Sequence, residues 1–122
     1  FDAIFLDITD PQHNTPSANI ITDKVMSALA RRMRPSGILI TQADNPDICP
    51  EQTVLWKEAL GKHFQNIQSY GVPCLSYGSS INFVVGSNGS NVSRQADLLP
   101  NLKWLNQERL QAAFSLYGDA DV

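Results

Sequence analysis

The sequence predicts an α/β fold, the second half of a doubly wound sheet that ends in an antiparallel strand pair, and three observations carry that prediction. Apolar runs of strand length alternate with amphipathic stretches, giving the order strand, helix, strand, helix, strand, strand, helix. The first apolar run lacks the alternation of a half-solvated strand, as parallel strands covered on both faces do. The last two strands are separated by a loop too short for a crossover helix, which makes them an antiparallel pair.

Ala3-Ile-Phe-Leu is continuous and apolar and closes at Asp7, so Asp7 falls at the carboxyl end of the first strand. Pro11 and Pro16 keep the following stretch out of helix until past Ser17. Thr22 is an N-cap for a helix to about Arg34, with Asp23 in the first turn and Arg31, Arg32 and Arg34 in the last, as the helix dipole favours. Its buried stripe reads Ile21, Val25, Leu29 and Met33, and Pro35-Ser-Gly37 ends it. Ile38-Leu-Ile-Thr-Gln42 is the second strand, reached by a right-handed parallel crossover. Pro50 opens a second helix, to about Phe64, which offers Leu55, Trp56, Ala59 and Leu60 to the core. Gln68 to Val72 and Ser80 to Val85 are the strand pair, and residues 86–101 read as a flexible Gly/Ser/Asn loop. Asn106 caps a last helix, with Leu105 and Leu110 placed as a hydrophobic staple.

At 122 residues the chain has room for one domain. Nine Lys plus Arg against twelve Asp plus Glu give a net charge of -3, and the basic residues cluster at Arg31, Arg32 and Arg34 alone. That excludes the concentrated basic field a nucleic-acid or anionic-membrane surface needs; a small cationic ligand suits it better. No apolar run reaches the roughly 18 to 20 residues of a membrane-spanning helix. Cys49 and Cys74 have neither disulfide-framework nor zinc-site spacing and read as reduced thiols. The start, Phe1-Asp-Ala-Ile, runs straight into a strand, so the chain is expected to be a piece of a longer protein.

Chemistry concentrates at the strand ends, because ligands of doubly wound sheets bind beyond the carboxyl ends of the strands, where Asp7, Asp10 and Gln42 fall. Two carboxylates three residues apart, stiffened by Pro11, make a seat for an ammonium and a candidate proton acceptor. The bland alternative is that Asp7 caps backbone amides and Asp10 starts a turn. His63, at a helix end, is expected to interact with that terminus, and His13 to be a solvated loop residue. Trp56, Trp104 and Phe114 read as core or interface.

These motifs, in order, resemble the polyamine synthase family, the spermidine and spermine synthase-like aminopropyltransferases, over almost the whole chain. The resemblance rests on Asp7-Ile-Thr-Asp10-Pro11 after an apolar strand and on Arg34-Pro-Ser-Gly37 leading to Ile38-Leu-Ile-Thr-Gln42-Ala with Asn45-Pro46 behind. It continues through Tyr70-Gly-Val-Pro73, Ile81-Asn-Phe-Val-Val-Gly-Ser87 and the closing stretch from Leu102 to Phe114. The chain departs from the pattern where a Gly-Pro should follow Asp-Pro, and Leu75 stands where many members carry an aromatic, leaving Tyr77 as a shifted substitute.

The resemblance implies a Rossmann-like, class I methyltransferase-like fold and aminopropyl transfer from decarboxylated S-adenosylmethionine, as co-substrate, to a polyamine acceptor such as putrescine, without a metal. It implies Asp7 as catalytic proton acceptor, Asp10, Gln42 and Tyr77 as substrate-binding, and Pro11 and Thr15 as contacts of the co-substrate. The glycine-rich nucleotide loop of such folds has no counterpart in the sequence, so residues 1–122 read as the C-terminal part of one domain whose N-terminal nucleotide-binding half is absent. A homodimer of the full-length protein, a cytoplasmic location and membrane-spanning segments N-terminal to this piece, which would put it on the cytoplasmic face, are further expectations. Competing readings are a catalytically silent relative serving as an interaction module, an S-adenosylmethionine-dependent methyltransferase, and a phosphoacceptor receiver domain, for which the required Lys at a strand end is missing.

Overall fold

Strands β1 (Ala3–Leu6) and β2 (Ile38–Gln42) lie side by side and parallel, with Ala3 opposite Ile38 and Leu6 opposite Thr41. Strand β4 (Ser79–Ser87) runs antiparallel to β2, Gln42 facing Phe83, and β3 (Asn66–Cys74) pairs antiparallel with the outer side of β4. Among the described residues the sheet order is therefore β1-β2-β4-β3, with β1 and β3 at its edges. These relations come from a computed structural model that describes residues 1–8, 14–89, 92, 97–98 and 100–117.

Helices α1 (Asp23–Arg32) and α2 (Pro50–Gly61) cover the sheet face that carries Leu39 and Val84. Met26 of α1 and Trp56, Ala59 and Leu60 of α2 bury themselves there, joined by Phe64, while the stripe Val25, Leu29 and Met33 packs half-buried around them. The sequence signals explain the starts of both helices. Thr22 Oγ1 accepts the Val25 N–H at 3.4 Å, and Pro50 occupies the first turn, where its missing N–H costs nothing. Asn106 does the same for α3 (Gln107–Tyr117), its Oδ1 accepting the Arg109 N–H at 2.8 Å.

Several element ends differ from expectation. Helix α1 stops at Arg32 rather than Arg34, because the Arg34 N–H bonds Phe1 O at 2.9 Å and the chain is already being led into the sheet. Helix α2 stops at Gly61, where the chain turns to send Phe64 into the core, and Leu55 faces outward. Both β3 and β4 outrun the apolar segments that suggested them, since polar Asn66, Ser79 and Ser87 are held by the ladder itself. Gly86 and Ser87, assigned from sequence to the flexible loop of residues 86–101, belong to β4; part of the remainder lies outside the described residues. The His63 side chain, expected to interact with its own helix end, reaches another helix instead: its Nε2 lies 2.9 Å from Asp23 Oδ1, tying the end of α2 to the start of α1.

The largest difference concerns β1. Its apolar run suggested cover on both faces, yet exposure alternates along it and Phe5 is 70% exposed. The helices cover Ile4 and Leu6; nothing described covers Ala3 and Phe5. No disulfide joins Cys49 and Cys74, and among the described residues no helix is long and apolar enough to cross a membrane.

Candidate functional site

Because Leu6 pairs with Thr41 in parallel register, the residues that follow, Asp7 just past the end of β1 and Gln42 at the end of β2, both fall at the carboxyl edge of the sheet. Together they form the polar rim of a cleft of about 370 Å³ whose other lining residues are Phe5, Leu6, Ile40 and Phe83. Strand periodicity produces this arrangement. Phe5 precedes Asp7 by two residues and Ile40 precedes Gln42 by two, so each polar side chain shares a sheet face with an apolar one behind it. Phe83 enters from β4 as the cross-strand partner of Gln42.

Phe83 is itself braced. Its ring stacks on Tyr70 at 5.1 Å between centroids, and Tyr70 meets Phe114 of α3 at 5.4 Å. Burial of Tyr70 in this stack holds its phenol in the neutral form, pushing its pKa above the ordinary value. An apolar wall of this kind with a carboxylate and a carboxamide on one rim favours a cationic ligand carrying a methylene chain: the walls take the methylenes and the two oxygen acceptors take N–H donors.

The other predicted residues are placed differently. Asp10 and Pro11 lie outside the described residues, as does His13. Thr15 stands just before a short 3-10 turn, Pro16–Asn19, its carbonyl accepting the Ala18 N–H at 3.1 Å and its Oγ1 lying 2.8 Å from Ser17 Oγ; it does not line the cleft. Tyr77 sits in the turn between β3 and β4, half-exposed. With Gln42 opposite Phe83, the start of β4 at Ser79 lies four residues farther along the same edge, roughly 13 Å beyond the cleft at the strand rise per residue. Phe5 and Ile40 were legible as face-mates of Asp7 and Gln42, a signal sequence reasoning left unused; Phe83 needed the register.

A second set of residues at this edge was not foreseen. The Tyr117 hydroxyl at the end of α3 donates to Asp47 Oδ2 at 3.0 Å and is hydrogen-bonded to Ser80 Oγ. Burial raises the Tyr117 pKa most; the Ser80 hydrogen bond lowers it, and the Asp47 hydrogen bond and charge raise it. Away from this edge, a larger groove of about 680 Å³ runs between β3 and α3, with Val72, Pro73, Leu75, Trp104 and Leu116 on its walls. The Arg109 guanidinium lies 5.1 Å from the centre of the Trp104 ring there.

A parallel pair continued by an antiparallel one, with a cleft at the strand carboxyl ends, defines a mixed α/β domain. Comparison with known proteins narrows that class. The family model of the spermine/spermidine synthase domain matches residues 1–96, and on that match the chain belongs to the spermine/spermidine synthase family. A polyamine aminopropyltransferase of Pyrobaculum aerophilum is 32% identical over 87 residues, 71% of this chain and 30% of that protein. One from Pyrococcus abyssi is 26% identical over 120 residues, 95% of this chain and 42% of that protein. Among solved structures, a spermidine synthase in complex with the transition-state analogue AdoDATO superposes with a TM-score of 0.77 at 20% identity, covering 94% of this chain and 41% of that one. The spermidine synthase from Thermotoga maritima gives 0.72 at 21% identity, covering 93% and 40%. At such identities the two structures establish the shared fold. The chain spans about 30% of the length of the Pyrobaculum relative.

Proposed function

We propose that residues 1–122 are the C-terminal part of the catalytic domain of an aminopropyltransferase. It moves an aminopropyl group from decarboxylated S-adenosylmethionine to a polyamine acceptor such as putrescine. The observation that carries this reading is the placement of Asp7 and Gln42 on one rim of an apolar-walled cleft, in a chain of this family. An ammonium is no nucleophile until it loses a proton. In the proposed step the acceptor amine, held by Gln42 and Asp10, gives a proton to the Asp7 carboxylate. Its nitrogen then forms a bond to the aminopropyl carbon next to sulfur, the carbon–sulfur bond breaks, and its electron pair stays on sulfur, turning the sulfonium into a neutral thioether. The sulfonium is already a good leaving group, so the step needs orientation and proton removal more than Lewis-acid help. Pro11 and Thr15 are assigned to the co-substrate side and Tyr77 to the acceptor's far end, with the nucleotide loop supplied by residues outside this chain. The full-length protein is assigned to the cytoplasm, or to the cytoplasmic face of the membrane if membrane-spanning segments precede this piece, and to a homodimer.

The test is product formation by the full-length protein, followed by mass spectrometry of the aminopropylated amine. Asp7→Asn is expected to lower kcat on the order of 10²-fold, the range for losing a positioned proton acceptor. Asp10→Asn should raise KM for the amine instead. A wild-type protein that binds decarboxylated S-adenosylmethionine without transferring its aminopropyl group would be a silent relative. Leu75, almost fully exposed where the family pattern has an aromatic, is the observation that favours that second reading.

A further inference from the structure

The loop that leaves β2 carries the chain straight on from Gln42, so whatever holds that loop also holds one rim of the cleft. Its beginning extends the sheet: the Ala43 N–H donates to Asn82 O and the Asn82 N–H to Asp44 O, both at 2.8 Å. There the backbone turns at Asp44, a non-glycine residue at φ 55°, a conformation that needs support from its surroundings. The rest of the loop closes on itself. Asn45 O accepts the N–H groups of Ile48 at 3.1 Å and Cys49 at 2.7 Å, and Asn45 Oδ1 accepts that of Asp47 at 2.9 Å.

At its tip the loop is tied to a distant part of the chain through the Asp47 carboxylate, which accepts the Tyr117 hydroxyl at 3.0 Å. Tyr117 is anchored independently of that bond. Its backbone carbonyl accepts Ser69 Oγ–H at 3.0 Å, its hydroxyl also bonds Ser80 of β4, and its ring fills the space left by the missing side chain of Gly71, where a Cβ would collide with it. The same helix braces Phe83 through the Phe114–Tyr70–Phe83 stack.

The geometry assigns Tyr117 as a positioning residue: its hydroxyl, bridging Ser80 and Asp47, latches the loop after Gln42 to α3 and so fixes the rim of the cleft for the acceptor amine. This rests on the proposed aminopropyl transfer for its kinetic consequence, but the latch itself is measurable without activity. Tyr117→Phe is the informative variant, because it keeps the ring seated against Gly71 and removes the bridging oxygen.

Hydrogen exchange on the full-length protein, read by mass spectrometry over residues 43–49, is the first arm. The amides of Asp47, Ile48 and Cys49 are expected to exchange about tenfold faster in Tyr117→Phe and in Asp47→Ala. They should stay at the wild-type rate in Asp47→Asn, which keeps an acceptor oxygen. Unchanged exchange in Tyr117→Phe overturns the latch. Steady-state kinetics is the second arm. Tyr117→Phe and Asp47→Ala should each raise KM for the amine about three- to tenfold while kcat stays within about twofold, and the double variant should be no worse than Tyr117→Phe alone, because that change already removes the Tyr117–Asp47 bond along with the one to Ser80. A fall in kcat with KM unchanged, or additive losses, overturns the positioning role. If the wild-type protein transfers no aminopropyl group, the proposed function fails and the exchange arm alone decides the latch.

Discussion

The two faces of the sheet are built from strands of similar apolar content and end up in different solvents. On one face Leu39 and Val84 have no exposed surface, sealed by Met26, Trp56 and Leu60. On the other, cover is graded. At the end of β4 it is nearly complete, with Val85 and Ser87 each 2% exposed, and nearby the Gln68 amide group holds Val92 on both sides, its Oε1 accepting the Val92 N–H at 2.6 Å. Across β2 the face is half-buried at Ile38 and Ile40, and at β1 it opens, leaving Phe5 at 70%. The difference separates what a strand's sequence asks for from what the chain supplies. The apolar run of β1 asks for two covered faces, and the described residues supply one. The candidate cleft lies where the open face meets the carboxyl edge, so one of its walls, Phe5, is left exposed by the described residues.

Substitution on the sealed face should cost most. Trp56→Ala is expected to destabilise by about 3–5 kcal/mol, read by urea denaturation. Trp56→Phe should cost much less, since the buried Trp56 Nε1 has no hydrogen-bond partner to lose among the described residues. Equal costs for the two would mean that the Trp56 N–H makes a hydrogen bond that both variants lose. Gly86→Ala, on the same face, would place a methyl group 2.9 Å from the Phe64 ring and should cost about 1–3 kcal/mol by overpacking.

A pH titration probes the graded face. Because burial raises the Tyr70 phenol in the folded state, the unfolded chain loses that proton first as pH rises. Its contribution is therefore intact below about pH 10 and lost as the pH climbs through the folded value, with Tyr70→Phe removing that part of the alkaline loss. A Tyr70→Phe profile identical to wild type above pH 10 would mean the stack does not shield the phenol. The smallest effect is expected at the open end: Phe5→Ser should change the stability of this chain by no more than about 0.5 kcal/mol. In the full-length protein the same change should cost about 1.5–3 kcal/mol, the value of a buried aromatic side chain. Equal small costs in both would mean that nothing outside this chain covers β1.

Local pattern made much of this legible. Thr22, Pro50 and Asn106 each mark a helix start because caps act within one turn, and Asp7 and Gln42 were readable as strand ends because an apolar run stops at a polar residue. What stayed hidden depends on partners far along the chain. Phe83 reaches the cleft through its pairing with Gln42, and Asp47 meets Tyr117 through the docking of α3, neither of which any periodicity encodes. The exposure of Phe5 was hidden for the opposite reason: its sequence speaks for a neighbour that the described residues do not contain.

The place of β4 in the sheet sets a clock on its assembly. It is the last strand of the four to be made and sits between β2 and β3, so Ile38 waits for Ser87 and β3 has no described partner except β4. Until residues 79–87 have been made, β2 therefore exposes a bare edge and β3 stays without its described partner, both open to pairing with other chains. Closing that interval quickly falls to the short turn Leu75–Tyr77, which delivers β4 beside β3 as a hairpin before the longer-range pairing with β2 has to form.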